Sequence, residues 1–262
     1  LRKMSQLPQL QMIDKTRSIA QKDINVSAVL MYGSFTKDEG DQYSDIEFYI
    51  FLNAKEKFSG ENWVSQIHPL AVYFKNEFGS EVAIFENMVR GEFHFLTTRE
   101  MNVIKSWEGL VTFSDFEKMI LVDKDGLLIN TLNQLQTKEP VRTKHENVLW
   151  LSQSLLNLLV TTGNLIKRQE YAHAYQSLSN VQRYLLWLIR VATKQTNHWE
   201  SPTKNLEKDI DPDWYHVFQQ TTTDLDSEKI DTAFKNALIV SRKLFDQLNI
   251  EGKLKELLGR IE

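Results

Sequence analysis

The chain has 262 residues, 42% of them hydrophobic, enough for one large core or two modest ones. With 31 Lys and Arg against 35 Asp and Glu, the formal net charge is -4, which argues against a dominant nucleic-acid surface while leaving room for local phosphate contacts. No cysteine is present, which excludes disulfides and thiolate chemistry and suits a reducing compartment.

The opening stretch LRKMSQLPQLQMI lacks an apolar segment long enough for a secretion signal, and no run reaches about 18 consecutive apolar residues. The expectation is a soluble cytoplasmic protein with no membrane partner. Leu10, Ile13, Thr16 and Ile19 recur at helical spacing and predict a helix over 9–20. A strand follows at 26–32, then a Gly33-Ser34 turn that, if it opens a short helix, would present amide N–H groups to a phosphate.

A second strand is predicted at 45–52. Period-two alternation puts Asp45, Glu47, Tyr49 and Phe51 on one face and Ile46, Phe48, Ile50 and Leu52 on the other. A short helix at 61–67 and strands at 70–74, 81–85 and 88–96 come next. In the last of these, Arg90, Glu92 and His94 alternate with Val89, Gly91, Phe93 and Phe95, so a third acid is presented on a sheet face. Thr97 and Glu100 have capping-box spacing for a helix reaching about Val103 or Trp107, the run at 118–123 reads as a last strand, and Leu128, Leu132 and Leu135 predict a helix.

The charged, turn-prone stretch at 137–144 ends the strand-like patterning, giving an α+β unit over 1–140 and a helical bundle over 141–262. Thr143 and Glu146 look like a capping box for a long helix that runs to Lys167-Arg168. A second long helix is expected over about 171–195 and a final one over about 228–247. Ser201-Pro202 and Asp211-Pro212 read as starts of shorter helices.

The residues with chemistry to offer gather in the first unit. Two carboxylates at i and i+2 on rigid strand backbone suit a hard divalent cation, and a Gly-Ser turn suits phosphate, together the parts that nucleotidyl transfer needs. Read plainly, the same residues are the solvent face of an edge strand and an ordinary turn. Lys37 and Arg90 are candidates to meet phosphate charge, Tyr43 to stack on a base, and His94 to orient Glu92. In the helical half, Lys204 and Lys208 fall one helical turn apart and are candidates to reach a triphosphate. Trp150, Tyr184, Trp187, Trp199 and Trp214 offer large amphipathic surfaces for a ligand or for the core.

Gly33-Ser34 followed by Ser44-Asp45-Ile46-Glu47 resembles the signature of the DNA polymerase beta-like nucleotidyltransferase superfamily. With YFKNEFG, RGEFHFL and SPTKNLEKDI, it resembles more closely the larger, two-domain lincosamide nucleotidyltransferases, over nearly the whole chain. The resemblance implies a nucleotidyltransferase-fold mixed sheet flanked by helices, followed by a helical bundle that helps bind the substrate and dimerise. It implies adenylylation of a lincosamide hydroxyl from ATP with one or two Mg²⁺, no nucleic acid, and a homodimer. Asp45 and Glu47 would hold metal, Glu92 would accept the hydroxyl proton, and Gly33, Ser34, Lys37, Tyr43 and Lys204 would meet the nucleotide. Glu47 stands where the superfamily more often has Asp. An aminoglycoside acceptor, and a non-catalytic partner protein of antitoxin type, are the alternatives. A general base at Glu92 calls for a carboxyl whose pKa is raised by its surroundings.

Overall fold

The computed structural model describes residues 7–113, 115–137, 139–250 and 252–261. The opening residues 1–6, read above for a secretion signal, and Lys138 in the 137–144 stretch lie outside these. The chain divides into two compact units, Leu1–Pro140 and Val141–Glu262.

The first unit opens with α1 (Pro8–Lys22), whose proline occupies the first turn, where a missing N–H costs nothing. Gln9, Met12, Ile13, Thr16 and Ala20 form its buried side. Then come β1 (Val26–Tyr32), β2 (Ile46–Leu52), α2 (Gly60–Val64), β3 (Leu70–Lys75), β4 (Glu81–Phe85), β5 (Arg90–Thr97), α3 (Val103–Ser106), α4 (Phe116–Met119), β6 (Ile120–Asp123) and α5 (Leu127–Leu132). The strands form one sheet in the order β3-β4-β5-β2-β1-β6. Neighbours are antiparallel except β2 and β5, which run parallel.

Both faces of this sheet carry apolar cover, which is why β1 is buried on its two sides. Met12, Ile13 and Ala20 of α1 and Trp63 and Val64 of α2 pack with Val29, Met31, Phe48, Ile50, Phe93 and Phe95 on one face. On the other, Ile104, Phe116, Leu128 and Leu132 pack with Ala28, Leu30 and Phe51. Tyr32, Glu47 and Glu92 are not part of that second cluster, so the face passes from apolar to polar along the strands.

Several boundaries differ from the sequence reading for local reasons. The Thr97–Glu100 capping box is present, with the Thr97 N–H and hydroxyl donating to Glu100 at 2.7 and 2.8 Å, but it caps a single 3-10 turn and α3 starts only at Val103. Lys118 and Met119 close α4 rather than opening a strand. Asp123 ends β6, and its carboxylate accepts from the amides of Leu128 and Ile129 at 3.3 and 2.9 Å, starting α5. Leu135 lies beyond α5, which ends at Leu132 with Asn133 as its cap.

The second unit contains α6 (His145–Lys167), α7 (Tyr171–Thr193), α8 (Leu206–Asp209), α9 (Pro212–Gln219), α10 (Ser227–Gln247) and α11 (Gly252–Gly259). Leu151, Leu155, Leu159, Leu178, Leu185, Ile189, Ala237, Leu244 and Phe245 form its core, at the spacing that turns one stripe of each long helix inward. The expected Thr143–Glu146 capping box is absent: α6 opens after Lys144 with no side-chain cap. Asp211 does cap α9, accepting the Asp213 N–H.

Ser201-Pro202 does not begin a helix. Arg190 is fully buried in α7 and consumes the carbonyls of that segment, with Nε on Pro202 O at 2.8 Å and Nη2 on Lys204 O at 2.8 Å. Its Nη1 donates to Gln195 O and to the Asp209 carboxylate, both at 3.0 Å, and His198 Nδ1 lies 2.5 Å from the same Asp209 oxygen. Residues 201–205 are thereby held as turns, and α8 starts after Asn205, in the left-handed conformation. Among the described residues, no helix is long and apolar enough to cross a membrane.

Candidate active site

β1, β2 and β5 lie side by side, and their register decides which side chains meet. Tyr32 pairs with Glu47, and Glu47 pairs with Glu92, so three strands place these side chains in one row on one face. Asp45 stands one residue ahead of β2 rather than inside it. Its carboxylate receives Arg90 Nη1 at 2.6 Å, while Arg90 Nη2 donates to Glu92 at 2.8 Å. One guanidinium fork therefore ties the end of β2 to β5, the bidentate use for which arginine is suited.

The approach to Asp45 is fixed from below. Gln9, 1% exposed in α1, donates to the carbonyls of Gln42 and Ser44 at 3.0 and 3.1 Å. The Asp41 carboxylate accepts from the Tyr43 N–H and the Ser44 hydroxyl at 2.9 and 3.0 Å, closing a turn that leaves the Tyr43 ring 83% exposed.

Gly33 is required where it stands. Its φ is +82° with ψ -157°, a region open in practice to glycine alone. A Cβ there would lie 1.6 Å from the Glu47 Oε2, so the Glu47 carboxylate lies directly against the turn. Ser34–Lys37 forms one 3-10 turn, with the Thr36 hydroxyl and amide both donating to the Gly33 carbonyl. Gly33, Ser34 and Glu47 are thus brought together, and Lys37 ends the same turn.

Behind the acids lies a tier of rings. His94 stacks on Tyr49 with centroids 4.2 Å apart at 9°, its Nε2 lies 3.0 Å from the Tyr32 hydroxyl, and it is 3.4 Å from Glu92. Burial, reinforced by the charges of Glu92 and Glu47, pushes the Tyr32 hydroxyl well above the usual phenol range, so it stays protonated. Burial also lowers the His94 pKa, partly offset by Glu92.

Glu92 departs from expectation. Burial acts to raise its pKa, but the hydrogen bonds from Arg90 and Ser80 and the Arg90 charge outweigh it, and the carboxyl is held below the ordinary range. Its environment does not raise the pKa because the guanidinium at 2.8 Å favours the charged form more than partial burial disfavours it.

The donor set fits a hard cation. Asp45, Glu47 and Glu92 outnumber the single Arg90, and every prospective ligand is an oxygen. Among the described residues no group of three or more His, Asp or Glu forms a ready cage. Mg²⁺ needs only one or two carboxylates when substrate phosphates complete its shell.

Lys204 belongs to the second unit. It precedes α8, so it is not one helical turn from Lys208 along a helix, and its carbonyl is one of the three held by Arg190.

Comparison with known proteins bears on this second unit. Residues 144–257 match the family model described as "Lincosamide nucleotidyltransferase-like, C-terminal domain". The match falls within the helical unit, Val141–Glu262. The match supports a nucleotidyltransferase, and the mixed sheet with its converging acids lies outside the matched residues. No curated protein sequence matches it. Among solved structures, an aminoglycoside 6-adenyltransferase from Bacillus subtilis aligns over 95% of each chain at 13% identity and a TM-score of 0.44. A nucleotidyltransferase-like protein from Exiguobacterium sibiricum aligns over 93% of this chain and 78% of its own at 14% identity and a TM-score of 0.38.

Within the lincosamide nucleotidyltransferase-like domain, four of the five aromatic residues singled out earlier form a run. Trp150 meets Tyr184, Tyr184 meets Trp187 and Trp187 meets Trp199, with centroids 5.8, 5.1 and 5.8 Å apart. Trp214 stands apart from it, under Lys243. Sequence reasoning missed Gln9, Tyr32 and Ser80. Gln9 was legible in principle as a polar residue on an apolar helical stripe, whereas the contacts of Tyr32 and Ser80 follow from strand pairing alone.

Proposed function

We propose that the protein adenylylates a hydroxyl of a lincosamide antibiotic, using ATP as donor and releasing pyrophosphate. The observation that carries this reading is the β2–β5 register, which sets Glu92 beside Glu47 and within one arginine fork of Asp45. The lincosamide nucleotidyltransferase-like match of the helical unit supports the acceptor class.

Asp45 and Glu47 would hold Mg²⁺, which when bound neutralises triphosphate charge. Ser34 and the turn it opens would take the outer phosphates. The acceptor oxygen attacks the α-phosphorus, the bond to pyrophosphate breaks, and the hydroxyl proton passes to the Glu92 carboxylate. Glu92 is ionised at neutral pH, as an ordinary carboxyl would be, so it needs no prior loss of a proton, and the Arg90 contact that holds its pKa down fixes its position at some cost in basicity. Ser80 and Arg90 aim it.

An aminoglycoside is the second candidate acceptor, favoured by the surplus of carboxylates over Arg90 at the cluster, which would attract a polycation. Incubation with ATP, Mg²⁺ and each drug separates the two by which one gains the mass of an AMP group. Glu92→Gln is expected to cut turnover by about 10²–10⁴-fold with triphosphate binding retained, and an unchanged rate would remove it from the chemistry. The homodimer and the cytoplasmic setting belong to the same proposal, and light scattering tests the first.

A further inference from the structure

The row through the acids continues past them. Glu92 pairs with Val82 on β4, and Val82 with Phe74 on β3, while Arg90 pairs with Ile84 and Ile84 with Val72. Paired residues share a face, so Val72, Phe74, Val82 and Ile84 lie on the same side of the sheet as Glu92 and Glu47. Val82 is buried, but Val72 is 48% and Phe74 45% exposed. Glu81 is paired with Phe93 and Lys75 with Glu81, which turns both charges to the opposite face, where Glu81 also accepts the Tyr73 hydroxyl. Ser80, on the acid side, is buried and engaged with Glu92.

We propose that this apolar shelf, Val72 and Phe74 with Ile84, seats the body of the acceptor, and that it selects an alkyl-bearing molecule of low charge over a polycation. The inference rests on the functional reading above and deepens it.

The reaction geometry carries the argument. In-line displacement puts the attacking oxygen and the departing pyrophosphate on opposite sides of the phosphorus. With the pyrophosphate at the Gly33-Ser34 turn beyond β1, and Glu47 and Glu92 next in the row, the acceptor must arrive from the β4–β3 side. Two strand spacings, about 10 Å, separate Glu92 from Phe74, the span of a small drug whose hydroxyl reaches the base. No acid on that stretch is available to pair with several amines, and exposed Val and Phe side chains gain by covering alkyl surface.

The test is steady-state kinetics of the full chain with lincomycin and Mg-ATP. Val72→Ser with Phe74→Ser should raise the acceptor KM about five- to tenfold, from the loss of two half-covered apolar side chains, with kcat and the affinity for Mg-ATP unchanged. Phe74→Leu should restore most of the loss. Across lincosamides differing only in alkyl chain length, the wild-type KM should fall about fourfold per methylene, and this dependence should vanish in the double variant. Transfer at unchanged acceptor KM in the double variant overturns the shelf and leaves the functional reading standing. The same holds if the double variant loses dimers by light scattering with its KM unchanged, which assigns the face to a second copy. Absence of transfer by the wild type to any hydroxylated drug overturns the functional reading and the shelf with it.

Discussion

Replacing Gly33 with Ala probes whether the turn and the Glu47 carboxylate are built as one unit. The new methyl meets Glu47 Oε2 at 1.6 Å and Cδ at 2.7 Å, so the carboxylate has to swing away by more than 1 Å. The backbone, at φ +82° and ψ -157°, adds a strain of about 1–3 kcal/mol. On a chain of this size that strain corresponds to a fall in Tm of roughly 2–4 °C per kcal/mol. Displacing a catalytic group by about 1 Å costs on the order of 10²-fold in rate. Differential scanning calorimetry and AMP transfer should therefore report a drop in Tm together with at least that loss of turnover. Gly79 is the internal control: its φ is +84°, yet nothing lies within 4 Å of a Cβ there. Gly79→Ala should lose stability and keep activity. If Gly33→Ala matched Gly79→Ala in activity, Glu47 would not be acting from the position the turn gives it.

Other consequences are accessible to routine assays. Removing Arg90 as Arg90→Met leaves Glu92 with burial as the main influence, which raises a carboxyl pKa, so the acid limb of kcat/KM should move to higher pH. A limb that stays put or moves lower would show that the guanidinium does not control Glu92. Arg190→Ala leaves the Asp209 carboxylate with His198 in place of a guanidinium and strands three carbonyls, and should cost about 3–5 kcal/mol by urea denaturation; a loss below about 1 kcal/mol would contradict the buried network. Chelation of divalent metal should abolish transfer, and added Mg²⁺ should restore it, whereas full activity in excess chelator would separate Asp45 and Glu47 from any metal role.

The elements of the sheet were legible because β2 and β5 alternate with period two, and β1 and β4 fall where the apolar runs predict. The face carrying Arg90, Glu92 and His94 was legible for the same reason. Neighbourhood was not. Glu47 and Glu92 are separated by a hairpin and a short helix, and nothing local specifies that β5 enters between β4 and β2. The Arg90 fork, and with it the lowered Glu92 pKa, follows only once that insertion is known. In the helical unit, Ser201-Pro202 carries an ordinary helix-start signal, but a buried arginine eleven positions earlier, counting from Ser201, takes the carbonyls that a helix would need. Capping signals describe an isolated segment, and tertiary hydrogen bonds override them.

The parallel pairing of β2 with β5 also fixes the order in which the protein can acquire its chemistry. As the polypeptide leaves the ribosome, Asp45 and Glu47 emerge well before Arg90 and Glu92, and the hairpin of β3 and β4 comes out between them. Until β5 arrives, one edge of β2 is open and Asp45 has no guanidinium beside it. A nascent chain halted short of residue 90 would thus expose an adhesive strand edge, which makes this interval the point where slowed translation would divert the protein toward aggregation.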